Sequence, residues 1–174
     1  MDISYNLGQV SSASSWGNPL DPTQRGSDLV EKGNALLAQR TPAALAAAVA
    51  AYDEAIRLWQ GLDIGVAEYR KDLGSAHFNK GNALQSQGTP AALTAAVAAY
   101  DEAIRLYQGL DLGVVEYRKH LANAHMNKGV VLAAQGTPAT LAAAVAACDE
   151  AIRLRQELDL GVAEYRNGLA GCRT

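Results

Sequence analysis

The residues of this chain with the clearest chemical capacity are its side-chain amides. Asn34 and Asn82 stand at one recurring position, and Asn79 and Asn127 at another, where the first unit has Glu31. An amide side chain offers two donors and one acceptor, so a row of Asn can match the peptide bonds of an extended ligand without reading its sequence. Val30, Leu37, Phe78 and Met126 flank the row and would supply apolar pockets. Each Asn also has a structural reading, as a cap or an inter-helix hydrogen bond.

Other chemistries find little support. His77 and His125 lie at equivalent points of neighbouring units, with no Cys or carboxylate at metal-ligand spacing, so packing is expected and no metal or other cofactor. Asp53, Glu54 and Arg57 recur in every unit. Asp53 and Arg57 are predicted to pair across one helical turn, as are 101/105 and 149/153. A catalytic acid/base pair would not need three copies, so the chain is read as a non-enzyme. Cys148 replaces Tyr52 and Tyr100, and Cys172 replaces Ala76 and Ala124, which suggests packing thiols and a reducing, cytoplasmic setting. The net charge of −3, with both signs interspersed, leaves no basic stripe for nucleic acid. The longest apolar run, Ala43 to Ala51, is too short to span a membrane.

These residues are positioned by a repeat of 48 residues. Thr41–Gly88 and Thr89–Gly136 align without a gap at 36 of 48 identical positions, and a third, partial copy starts at Thr137. A fixed period of this size predicts stacked helical units that bury a continuous core only together. Residues 1–20, rich in Ser, Gly and Asn, read as an irregular arm, and 21–174 as the array. The units are expected near 21–61, 62–109 and 110–157, with a half-unit at 158–174.

The helix boundaries follow from cap chemistry. Asp21-Pro22 and the Thr-Pro pairs at 41–42, 89–90 and 137–138 combine an N-cap with Pro at the first helical position. A first helix is expected over Pro22 to Gln39. The next carries an amphipathic stripe of Leu45, Val49, Tyr52, Ile56 and Trp59, with a small face of Ala43, Ala47, Ala50 and Ala51 for close packing. Gly61 and Gly109 should stop this helix, and Glu157 takes their place in the third copy. After a Leu-Asp-Ile/Leu-Gly loop, a second helix is predicted from about Val66 to Gln87, ended by Gly88. Short connections make the paired helices antiparallel.

The stretch Ala76-His-Phe-Asn-Lys-Gly-Asn-Ala-Leu-Gln-Ser-Gln-Gly88, followed by Ala96-Val-Ala-Ala-Tyr-Asp-Glu-Ala-Ile-Arg-Leu106, resembles a tetratricopeptide repeat. The family's small residue falls at Gly33, Gly81 and Gly129, its large apolar residue at Leu36, Leu84 and Leu132, and its Ala positions at Ala48/Ala55 and their equivalents. The period departs from the usual 34, and Leu29, His77 and His125 replace the family's early aromatic. The resemblance implies an all-α fold, a right-handed superhelix of about three antiparallel hairpins whose concave face binds peptide or protein segments. It does not extend to a carboxylate clamp, because Val30, Phe78, Ser75 and Asn123 stand where Lys or Arg would be needed.

The complete units differ at twelve positions, and many fall on the second helix. Ser75/Asn123, Phe78/Met126, Asn82/Val130, Gln85/Ala133 and Ser86/Ala134 step as one helical stripe. Two readings compete: a diversified binding groove, or drift of exposed positions. The first is preferred, because the shorter helix differs only at 46/94 and 59/107. The expected peptide-binding surface is therefore Val30, Glu31, Asn34, Leu37, Ser75, Phe78, Asn79, Asn82, Gln85, Asn123, Met126, Asn127 and Val130. The alternatives are a self-assembling module, stacking or swapping through its terminal half-repeats or its N-terminal arm into a homo-oligomer, and a scaffold with no ligand of its own.

Overall fold

The computed structural model describes the backbone of residues 21–171 and the side chains of residues 21–158. The expected arm at 1–20 and Cys172 lie outside the described residues. Six helices follow one another: α1 (Pro22–Gln39), α2 (Pro42–Gln60), α3 (Ala67–Gln87), α4 (Pro90–Gln108), α5 (Val115–Gln135) and α6 (Pro138–Gly171). No strand occurs among the described residues. α1 packs on α2, α3 on α4, and α5 on α6, while α2 meets α3 and α4 meets α5. α1 also comes within 8 Å of α3, and α3 of α5, measured between Cα atoms; α2, α4 and α6 do not approach one another in this way. The odd-numbered helices therefore line the inner side of the stack.

Local chemistry sets the boundaries. Asp21 accepts from the Thr23 amide at 2.9 Å, Thr41 from Ala44 at 3.2 Å, and Thr89 from Ala92 at 3.2 Å, each with Pro at the helix start. Gly88 and Gly136 end α3 and α5 in the left-handed region, both at φ 69°. Arg40 holds the equivalent place after α1 at φ 54°. α3 and α5 start on Val66 and Val114, which give no side-chain cap. The preceding loop holds itself instead: Asp63 Oδ1 accepts from the Gly65 amide at 2.8 Å, and Arg70 Nε donates to the Ile64 carbonyl at 2.8 Å.

In the third copy the chain does not turn. Leu-Asp-Leu-Gly at 110–113 is a loop, while the same four residues at 158–161 continue α6 to Gly171. Glu157 stands where Gly109 ends α4, and its carboxylate pairs with Arg153 one turn back, which favours continuation.

Two further expectations need correction. The small face packed against neighbouring helices is Ala44, Ala48, Ala51 and Ala55; Ala43, Ala47 and Ala50 are not part of the buried core. The buried set shares the helix face of Tyr52 and Ile56, and it is this face that meets α1 and α3. Nor do Asp53 and Arg57 pair. Arg57 takes Glu54, Arg105 takes Glu102 and Arg153 takes Glu150, one residue closer in each case. Asp53 and Asp101 reach across to the next hairpin, to Lys80 Nζ at 2.7 Å and Lys128 Nζ at 2.6 Å.

Candidate functional site on the odd-numbered helices

The Asn residues are built into junctions between hairpins. The Tyr52 hydroxyl, from α2, donates to Asn34 Oδ1 on α1 at 2.8 Å, and Asn79 Nδ2 on α3 donates to the same oxygen at 3.3 Å. One repeat later the Tyr100 hydroxyl donates to Asn82 Oδ1 at 2.7 Å, with Gln85 Oε1 2.8 Å away, and Asn127 Nδ2 donates to Asn82 Oδ1 at 3.0 Å. Each junction joins three helices through one carbonyl oxygen that uses both lone pairs. Burial pushes the Tyr52 hydroxyl up to about 12 and raises that of Tyr100, so both stay protonated donors. The inter-helix role weighed for the Asn residues is thus present. Their remaining capacity is asymmetric: among the described residues, Nδ2 of Asn34 and of Asn82 donates to no protein acceptor. Both residues line a cleft of about 350 Å³ between α1 and α3, together with Leu37, Ala38, Arg40 and Ser86.

The other expected surface residues divide by exposure. Glu31, Asn123 and Val130 are exposed. Val30, Leu37, Ser75, Phe78, Gln85 and Met126 are half-buried. Val30 packs against the clusters around Tyr52 and Trp59, and Phe78 lies against the Tyr100 ring at 5.7 Å between centroids.

Part of the variable stripe changes together with the helix it packs on. Several of its residues face the second helix of their own hairpin, and the two sides change together. The Tyr107 hydroxyl donates to Ser75 Oγ at 3.2 Å; in the next unit Arg155 Nη2 donates to Asn123 Oδ1 at 3.1 Å, at the same separation of 32 residues. A Cβ on Gly74 would sit 2.7 Å from the Tyr107 ring; at the equivalent positions of the next hairpin stand Ala122 and Arg155. Asn82 and Gln85 meet Tyr100, whereas Val130 and Ala133 line a cleft with Cys148. The differences at 74, 75, 82 and 85 thus coincide with changes at positions 107 and 100 of the facing helix, to Arg155 and Cys148 in the third hairpin. Comparing units in pairs of positions, 32 residues apart in one case and 18 in another, would have found these couplings in the sequence.

His77 and His125 are held below the usual imidazole range by burial, and His125 Nε2 is buried without a partner. No group of three metal-ligating side chains occurs among the described residues. No helix among them is long and apolar enough to cross a membrane.

No protein-family model matches the chain, and no curated protein does. Among solved structures it is similar to the crystal structure of a de novo designed helical repeat protein, at 22% identity and a TM-score of 0.56, over 86% of this chain and 75% of that one. That likeness shows a helical-repeat fold.

Proposed function

We propose that the protein is a non-catalytic scaffold of tetratricopeptide type that binds an extended peptide or protein segment along α1, α3 and α5. The observation that supports this is the division of labour within Asn34 and Asn82. Their carbonyl oxygens are anchored by Tyr and Asn donors, and their amide hydrogens face no acceptor among the described residues. An anchored amide has already lost its rotamer freedom, so donating to a ligand carbonyl costs it little further entropy. Leu37 and Ala38 give the cleft between them apolar walls. A half-buried Cys148, packed against Gly129, goes with a reducing cytoplasmic setting.

Replacing both residues by Asp tests the proposal. A carboxylate still accepts from Tyr52, Tyr100, Asn79 and Asn127, yet it offers no hydrogen. An array of unstructured peptides is screened with the parent chain and with N34D/N82D. The double variant should keep its helical circular dichroism and lose roughly tenfold or more in affinity for every peptide the parent captures, as removal of two hydrogen bonds implies. Equal capture by the two proteins would end the proposal.

A further inference from the structure

The two ends of the array differ from its interior in complementary ways. Each interior boundary is made alike. Val49, Tyr52 and Ile56 of α2 cluster with residues of α3 that include Leu73, Ala76 and Ala83, and Asp53 pairs with Lys80. Tyr100, Val97 and Ile104 of α4 cluster with Val131, Leu121 and Ala124 of α5, and Asp101 pairs with Lys128. On α6 the equivalents are Leu141, Val145, Cys148, Ile152 and Asp149. Among the described residues no helix covers them: Val145 is 61% exposed and Ile152 47%, against 7% for Ile104. An apolar cleft of about 370 Å³ opens beside Cys148 and Val145. At the other end, Lys32 is the equivalent of Lys80 and Lys128. It is exposed and has no acid partner among the described residues. It borders a cleft of about 620 Å³ whose walls include Asp28, Leu29, Ala47 and Ala51.

We propose that the α6 end of one copy docks on the α1 end of a second copy, in the register of the interior boundaries. Asp149 then meets the second copy's Lys32, continuing the series begun by Asp53 with Lys80 and Asp101 with Lys128. Val145 and Ile152 are covered by α1 as Val49 and Ile56 are covered by α3. The terminal substitutions fit the same register. Trp59 and Ala76 share one cluster in the interior; at the ends their places hold Arg155 and Asp28, which have opposite charge. A second copy is favoured over an unrelated helix because its α1 carries the base that this register requires. A tail-to-tail pair would instead bring two Asp149 side chains into one interface. Arg25 stands where Leu73 is buried, so the contact is more polar than an interior boundary and reversible.

Sedimentation velocity of the full chain over a range of concentrations tests this. A head-to-tail contact leaves one open end of each kind, so the average mass should rise past that of a dimer. V145E, K32D and D149K should each lower the association constant, V145E by roughly tenfold or more because it places a charge in the apolar centre of the contact. The chain carrying both K32D and D149K should regain association, since the pair is restored with its signs exchanged. Helical circular dichroism confirms that each variant is folded. A monomer at every concentration, a plateau at dimer, an unaffected V145E, or a double charge exchange no better than the single ones would overturn the proposal.

Discussion

At the residue scale, Arg40 is the exception in a rule the other units obey. Gly88 and Gly136 take the left-handed conformation without steric cost, and a Cβ on either would touch nothing within 4 Å. Arg40 takes the same conformation with a Cβ, at a backbone cost of about 1 kcal/mol. R40G should raise the unfolding free energy by about 0.5–1 kcal/mol, and G88A should lower it by about 1 kcal/mol. Urea midpoints at constant slope measure both changes; an R40G midpoint at or below the parent's would show that the arginine makes compensating contacts. Caps of this kind are legible in the sequence itself, because a Thr-Pro or a terminal Gly acts on its own neighbours. The partner of Asp53 is not. The i,i+4 rule looks only along one helix, whereas Lys80 lies across a loop on the next.

At the scale of helix pairs, the fit between the two arms of a hairpin decides which residues are free to vary. Gly74 sits under Tyr107, and the equivalent positions of the third hairpin hold Ala122 and Arg155. G74A alone should destabilise by about 1–3 kcal/mol through overpacking. Adding Y107R reproduces the pairing of the third hairpin and should recover much of that loss. A double-mutant cycle should return a coupling of at least about 0.5 kcal/mol, and strict additivity would show that the two positions do not sense each other. The sequence displays both changes, yet it does not say which residues face one another. A stripe on a helix predicts a common face but leaves its neighbour unnamed. The one-residue shift of the small face, from Ala47 to Ala48, has the same origin: in a run of alanines periodicity carries no contrast.

At the scale of the whole array, the period together with its cap residues and short connections dictates the helix order and the antiparallel pairing. It does not dictate the straight passage of α6 through Leu-Asp-Leu-Gly, where Glu157 stands in place of the helix-ending Gly and pairs with Arg153. Stability in such arrays sums unit and neighbour terms. The Tyr-Asn-Asn junctions tie α1, α2 and α3 together, and then α3, α4 and α5. No equivalent reaches α6, because Cys148 and Val130 occupy the two positions that would form it. Native-state hydrogen exchange should therefore find the amides of Ala144–Leu154 opening with the lowest free energy and those of α3 and α4 with the highest. Equal protection in α4 and α6 would deny the junctions any such role. The missing third junction also has a mechanical meaning. Tension applied to the two ends would strip α6 away first and then stall at the tyrosine bolts behind it, so the last helix acts as a fuse that yields before the rest of the stack takes the load.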